Sequence, residues 1–273
     1  MNRETEKIEI DLLLDAVFKK YGYDFRNYSR ASIERRIRQF IPKSGCQSIL
    51  EIVEKLLRDE PFFFRMVREF SITVTEMFRD PHVYANLRQN VIPLLDTHPF
   101  IKIWHAGCAT GEEAYSLAIV LKEEGLYNRA TLFVTDFNDE ALEYAKHGIY
   151  PINRIKDATR NYIAAGGNTS FSKYYHAHSN SIAVDSELRK NMTFANYNLV
   201  TDSVFGEMNL ILCRNVLIYF DRELQNRVLE LFTESLCRGG FLCLGTKESL
   251  LFSSVCDQFD VIDDKAKIYK KKR

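Results

Sequence analysis

The sequence predicts a two-part chain: an all-α N-terminal region, then an α/β domain built on a parallel sheet with helices on both faces. Two patterns carry this expectation. The first ~80 residues show only helical periodicity, whereas from residue 100 short continuous apolar runs alternate with amphipathic stretches. Strands that are apolar on both faces belong to buried parallel sheets, and the alternation supplies the helices that bury them. A length of 273 residues accommodates one large domain or two modest ones.

In "IEIDLLLDAVFKKYG" the spacing places Ile8, Leu12, Ala16 and Lys19 on one helix face with Leu13 and Val17 beside them, and Gly22 stops the helix. "SRASIERRIRQFIPKSG" begins at a capping Ser29 or Ser32 and ends at Pro42 and Gly45. "SILEIVEKLLRDEPFFFRMVREF" supplies one or two more helices, with Pro61 suited to a first helical position. In the second part "FIKIWHAG" reads as a strand, "EEAYSLAIVLKEEG" as a helix and "ATLFVTDF" as a strand. The helix "NDEALEYAKHG" follows, capped by Asn138 or Asp139. Later come strand "MNLILCRN", helix "RELQNRVLELFTESLCRGG", strand "GFLCLGT" and a closing hairpin of "FDVID" and "AKIYKKK". Residues 151–197, rich in Tyr, Thr, Ser and Asn, break the alternation. There "SIAV" and "MTFANYN" suit short antiparallel strands, and a long irregular loop fits the pattern equally well. The expected division is a helical domain over 1–72, a linker and helix over 73–99, and an α/β domain over 100–273 with an insertion at about 165–197.

Lys plus Arg and Asp plus Glu number 37 each, which excludes a globally basic nucleic-acid binder and a charged disordered chain. The six cysteines show neither a CxxC pair nor zinc spacing, so they read as reduced, mostly buried thiols of a cytoplasmic protein. His176 and His178 lie two apart in a polar loop, and no metal is assigned to them. The charged amphipathic N-terminus is neither a signal peptide nor a membrane span, and no later stretch approaches 18 uninterrupted apolar residues. No membrane insertion is expected.

The chemistry concentrates in "IWHAGCATGEEAYS", residues 103–116. Doubly wound sheets bind ligands at the carboxyl ends of their strands, so the turn after the first strand is the place to look. A dinucleotide fold shows G-x-G-x-x-G there, whereas this turn has only Gly107 and Gly111, followed by Glu112 and Glu113. Carboxylates repel pyrophosphate but suit a cationic ligand without phosphate, and S-adenosylmethionine carries an ammonium and a sulfonium. The two glycines would let the backbone approach that ligand. Asp136 ends the second strand about 25 residues after Gly111, where an acid can bind both ribose hydroxyls. Its alternative role is capping the helix that follows. Glu112 has its plainest reading as a helix N-terminal carboxylate favouring the macrodipole.

Several segments, "ITVTEMFRDP" (72–81), "WHAGCATGEEAYSLA" (104–118), "TDFN" (135–138), "NYNL" (196–199) and "LCRNVLIYFD" (212–221), together resemble the CheR family of chemotaxis receptor methyltransferases. The resemblance spans nearly the whole chain. It implies a Rossmann-like S-adenosylmethionine-dependent methyltransferase domain with a small antiparallel β-subdomain, preceded by an all-α domain. The implied activity is methylation of receptor glutamate side chains, with S-adenosylhomocysteine as product. The implied cofactor contacts are Thr73, Thr75, Arg79, Glu113, Asp136, Asn198, Leu199, Arg214 and Asn215. Thr73, Met77 and Ala114 depart from the Asn, Phe and Pro of other members; Met for Phe is a tolerable apolar exchange.

A glutamate acceptor has an ordinary pKa of about 4.3 and is ionised at neutral pH, so methyl transfer to it requires no general base. Position and charge control are what the site must supply. Arg79, whose guanidinium can fork onto a carboxylate, and Tyr219, whose hydroxyl could fix the acceptor or the departing sulfur, are the expected catalytic residues. Arg26, Arg30, Arg35, Arg36, Arg38 and Lys43 crowd residues 24–45, and the resemblance makes them a docking face for glutamate-rich receptor helices, alongside the β-subdomain. The competing readings are an NAD-dependent oxidoreductase, disfavoured by the missing third glycine, and a cofactor-sensing module without turnover.

Overall fold

A computed structural model describes residues 3–70, 75–204 and 206–272. The chain forms two compact units, Met1–Ile72 with Ile218–Arg227, and Thr73–Leu217 with Val228–Arg273.

The first unit carries helices α1 (Arg3–Tyr21), α2 (Arg30–Ser44), α3 (Ile49–Leu56) and α4 (Glu60–Phe70). Leu13, Val17, Ile33, Ile37, Phe40, Ile52 and Phe63 are its buried centre. The face of α1 that packs runs through Ile10, Leu13, Leu14 and Val17, whereas Ile8 and Leu12 are exposed. Both stripes satisfy the helical period, and the stripe with more large aliphatics is the one removed from water. Helix α2 continues through Pro42 to a left-handed Gly45. In the last turn a proline costs only one i→i−4 bond, so it need not end the helix. Ser48 and Asp59 cap the next two helices, accepting from the N–H groups of Glu51 at 3.2 Å and Phe62 at 3.0 Å. Residues 218–227 group with this unit: the Tyr219 carbonyl accepts from the Ser29 N–H at 2.8 Å and the Asn27 carbonyl from the Asp221 N–H at 2.9 Å.

The second unit opens with α5 (Pro81–Asn86), a π-helical turn over Leu87–Val91 and α6 (Ile92–Leu95). Then follow β1 (Ile101–Ala106), α7 (Glu112–Glu123), β2 (Ala130–Asp136), α8 (Asp139–His147), β3 (Ile149–Pro151), α9 (Ile155–Ala164), β4 (Tyr175–Ala177) and β5 (Ser181–Val184). The chain continues with β6 (Met192–Asn196), β7 (Met208–Cys213), α10 (Arg222–Ser235, whose first turns lie in the other unit), β8 (Leu236–Leu244), β9 (Phe259–Asp263) and β10 (Ile268–Lys271). The main sheet has the order β6-β2-β1-β7-β8-β10-β9; its first five strands are parallel and the β9–β10 hairpin is antiparallel. The apolar runs of β1 and β7 are buried along nearly their whole length, as central parallel strands require.

The interrupted region differs from expectation in two respects. The small antiparallel sheet, β3-β5-β4, starts at Ile149 instead of near residue 165, and α9 lies within it. "MTFAN" is not part of that sheet: it is β6, in parallel register with Leu132–Asp136. An edge strand is half exposed and keeps polar residues that a central strand lacks, which is why its pattern resembled an antiparallel one. A buried carboxylate braces this region. Glu123 of α7 accepts from the hydroxyls of Tyr162 and Tyr174 and pairs with Arg88.

Candidate functional site

Because β1 lies between β2 and β7, successive connections leave it in opposite directions, and the carboxyl end of β1 is the switch point of the sheet. The turn there is held from the neighbouring strand, with the N–H groups of Gly107 and Cys108 both donating to the Thr135 carbonyl at 2.9 Å. Gly107 and Gly111 have φ of 76° and 89°. A Cβ at Gly107 would lie 2.5 Å from Val216 Cγ2, and one at Gly111 2.7 Å from Ala145 Cβ. The glycines are therefore demanded by the protein's own packing, against the post-β7 loop and α8.

Asp136 fastens this turn. Its Oδ2 accepts from the Ala109 N–H at 2.8 Å and its Oδ1 from the Asn138 N–H at 3.0 Å. The cap of α8 is Asn138, whose Oδ1 accepts from the N–H groups of Glu140 and Ala141 at 3.0 and 3.2 Å, so the capping alternative for Asp136 falls away. The Phe137 N–H also bears on this carboxylate, so of its about four acceptor positions at least one remains for a ligand. Burial raises its pKa and the backbone donors partly offset this. Asn198 and Leu199 follow β6 beside it, with the Tyr197 N–H on the Asp136 carbonyl at 3.1 Å. The Asn198 Oδ1 closes its own turn on the Val200 N–H at 3.0 Å, and Leu199 is buried.

Arg214, at the end of β7, gathers the second cluster. Its enclosed guanidinium binds the Glu113 carboxylate, the Asp80 Oδ2 at 2.6 Å and the Arg79 carbonyl at 3.1 Å, and lies 5.9 Å from the Tyr84 ring centroid. Glu113, expected to face a cationic ligand, thus has a protein cation as its partner. Burial raises its pKa, and the Arg214 and Arg79 charges pull it back. The segment bearing Arg79 is pinned to α7 by the Phe78 N–H, which donates to Ser116 Oγ at 2.8 Å. Asn215 is held by Glu248, whose Oε2 accepts from the N–H groups of Asn215 at 3.1 Å and Gly245 at 2.6 Å. Sequence reasoning passed over Glu248; its only signal was an acid shortly after the apolar strand β8. Thr73 lies outside the described residues.

Two features mark this group as more than packing. Phe78, Asp80, Ala109 and Asn215 all have φ between 49° and 60°, backbone strain on the order of 1 kcal/mol each that clusters at functional sites. Buried and without a hydrogen-bond partner are Thr75 Oγ1, Arg214 Nε and Asn215 Oδ1. An orphaned buried polar atom is costly, and three on residues expected to touch one ligand are groups that a ligand would satisfy. The charges agree. Arg79 and Arg214 stand against Asp80, Glu113, Asp136 and Glu248, so acids outnumber bases in the cluster. That excess suits a cationic ligand without phosphate.

Glu112 is buried, accepts from Thr110 Oγ1 at 2.6 Å and lies 3.6 Å from the exposed Arg154 guanidinium. Burial, only partly opposed by the Thr110 bond and Arg154, pushes its pKa from 4.5 to about 7. The folded state therefore holds this proton more tightly than the unfolded chain. Its contribution to stability is full below about pH 4.5 and is lost as pH rises through about 7. Glu112→Gln should flatten that slope: the melting temperature of the wild type, relative to the variant, should fall between pH 5 and pH 8. A difference independent of pH would refute this.

Tyr219 belongs to the other unit, where the Arg36 guanidinium lies 5.0 Å from its ring centroid. Arg36 is consequently buried, also donating to Ser32 Oγ at 3.3 Å, and does not belong to an exposed basic face. Arg38 pairs with Glu6 and Glu34, Arg30 with Asp11 and Glu34, and Lys43 with Glu69, while Arg35 is exposed. Among the described residues no group of three or more His, Cys, Asp or Glu could hold a metal, and no helix is long and apolar enough to cross a membrane.

Residues 73–268 match the family described as CheR methyltransferase, SAM binding domain, and residues 8–71 match the CheR methyltransferase all-alpha domain. The chain is 48% identical over 269 residues to the putative methyltransferase Cher3 of Pseudomonas putida, covering 98% of both chains. It is 29% identical to the chemotaxis protein methyltransferase of Listeria monocytogenes over 86% of this chain and 87% of that one. The corresponding protein of Borreliella burgdorferi is 26% identical over 92% and 91%.

Proposed function

Since the chain belongs to the CheR methyltransferase family and is an S-adenosylmethionine-dependent methyltransferase, we propose that it methylates glutamate side chains of chemotaxis receptors, forming methyl esters in the cytoplasm. The observation that carries the reading is the coincidence of three orphaned buried polar atoms, on Thr75, Arg214 and Asn215, with a switch point where acids outnumber bases. These residues fit S-adenosylmethionine, which carries one net positive charge and no phosphate. Asp136 would take the ribose hydroxyls with its remaining acceptor positions, and Thr75 and Asn215 would take polar groups of the amino-acid end. When bound, the cofactor supplies an electrophilic methyl group on a sulfonium.

This chain's own work is positioning. An ionised glutamate needs no base, but its carboxylate must be brought in line and kept from random orientation. Arg79 does this with a guanidinium left available because its neighbour Arg214, not Arg79 itself, neutralises Glu113 and Asp80. Too firm a salt bridge would hold back the nucleophile, and the nearby Glu113 charge tempers Arg79's pull on it. Tyr219 is assigned a supporting role toward the acceptor. Receptor contact is assigned to the small sheet and to the exposed Arg35, the other basic groups of α2 being largely committed to internal ion pairs.

The test is transfer of labelled methyl from S-adenosylmethionine to receptor cytoplasmic fragments, with the label released by mild base as a carboxyl ester requires. Arg79→Ala should lower the rate at least tenfold, in excess of its loss of S-adenosylhomocysteine affinity. Base-stable label, or no transfer by a protein that binds the cofactor, would sink the reading.

A further inference from the structure

The β7–β8 ladder ends at the pair Cys213–Leu244, and just beyond it the N–H groups of both strand ends need another acceptor. A side chain supplies it. The Glu248 N–H donates to the Gly245 carbonyl at 2.8 Å and closes a tight turn over 245–248. That turn brings the Glu248 carboxylate back over the end of the ladder. Its Oε2 accepts from the Asn215 N–H at 3.1 Å and from the Gly245 N–H at 2.6 Å, so one oxygen ties the two strand ends together. Glu248 is only 5% exposed. Burying a carboxylate is costly, and two backbone donors on one oxygen offset part of that cost.

What this carboxylate holds is a residue of the candidate site. Asn215 stands at φ 60°, a left-handed conformation that Asn tolerates without preferring, so its direction depends on what grips its backbone. A Cβ at Gly245 would lie 2.7 Å from the Asn215 backbone nitrogen and 3.1 Å from its Nδ2. Only a residue without a side chain leaves room for the Asn215 amide there. With its backbone clamped and its Nδ2 beside Gly245, Asn215 keeps an Oδ1 that is buried and without a hydrogen-bond partner. An orphaned acceptor calls for a donor. At the amino-acid end of S-adenosylmethionine the donor is the ammonium group, because the carboxylate beside it only accepts. We propose that Glu248 is a positioning residue for the cofactor, which by fixing Asn215 aims its Oδ1 at that ammonium. The inference rests on the function proposed above. Glu248 acts through Asn215, so what its position requires is an acceptor oxygen at the right reach.

Calorimetry with S-adenosylhomocysteine and with methylthioadenosine separates positioning from support of the fold. The second ligand keeps the nucleoside and the thioether but has no amino-acid end. Glu248→Ala should weaken S-adenosylhomocysteine binding by about tenfold or more and methylthioadenosine binding by less than about twofold. Asn215→Ala should show the same selective loss, and the double variant should lose no more than either single variant. Glu248→Gln keeps an oxygen within reach of both N–H groups and should recover most of the affinity. A loss shared equally by the two ligands makes Glu248 a support of the fold and overturns the assignment. A glutamine variant as weak as the alanine variant toward S-adenosylhomocysteine alone overturns it too, since charge and not position would then act. If Glu248→Ala does not fold, Glu248→Asp replaces it with the same expectation and the same refutation, its carboxylate being one methylene too short to reach both donors. A wild-type protein that binds neither ligand defeats the functional reading instead, and the positioning role with it.

Discussion

Replacing Arg214 with methionine should destabilise the protein by roughly 3–5 kcal/mol and abolish cofactor binding together. Arg214 is the only cation contacting the enclosed Glu113 carboxylate by an ion pair among the described residues, and it also holds Asp80 and the Arg79 carbonyl. Removing it strands a charge in a place water does not reach. The stranded Glu113 would take up a proton, and here the sign is definite. With Arg214 gone, chiefly the smaller Arg79 effect still opposes burial and the folded pKa of Glu113 rises further above the ordinary 4.5, so the variant's deficit should shrink as pH falls toward 5 and widen above 7. Adding Glu113→Gln should restore much of the stability, because a neutral side chain of the same shape needs no counter-charge. It should not restore cofactor binding, because the Arg79 segment would still lack the guanidinium that grips its carbonyl. Denaturant melts of the single and double variants at pH 5 and 8, with calorimetry against S-adenosylhomocysteine, measure both effects. A single variant that melts like wild type at pH 8 would show that the pair is not the buried keystone its geometry makes it.

The same cluster shows which parts of the site a one-dimensional pattern can express. The strand–turn–helix grammar around residues 101–123 is local, so the apolar run of β1, the glycines and the acids of α7 marked the switch point directly. Asp136 was legible for the same reason, as the acid ending the second strand. The protein partner of Glu113 was not: Arg214 lies 101 residues away, and no local pattern joins the two. Glu248 had no local pattern at all; its role appears only once β8 lies beside β7 and Gly245 meets Asn215. At β6 an edge strand of the parallel sheet was taken for an antiparallel strand of the insertion, because a strand's pairing depends on neighbours that its own residues do not name. Arg36 was misplaced for the converse reason: it lies among other cations in sequence, while the turn of the helix carries it inward, here onto Tyr219.

Asp136 offers the sharpest separation of folding from binding. Its two oxygens do protein work, holding the Ala109 N–H of the first turn and the Asn138 N–H before α8, while its remaining acceptor positions are assigned to the ribose. Asp136→Ala removes both functions. It frees the N–H of the strained Ala109, at φ 49°, from the carboxylate that accepts it, and should cost about 1–3 kcal/mol of stability along with a cofactor affinity loss of 100-fold or more. Asp136→Asn divides them. The amide keeps one acceptor oxygen for a backbone N–H but turns the other position into a donor, facing either Ala109 or Asn138 with a clash of hydrogens. Stability should fall less than in the alanine variant. Binding should still fall at least tenfold, because an amide cannot accept from two vicinal hydroxyls as a carboxylate does. The two losses should also respond differently to the ligand: excess S-adenosylhomocysteine should raise the melting temperature of wild type far more than that of either variant, in proportion to affinity. If the asparagine variant binds like wild type, Asp136 is a structural staple of the switch point and the ribose must be held elsewhere.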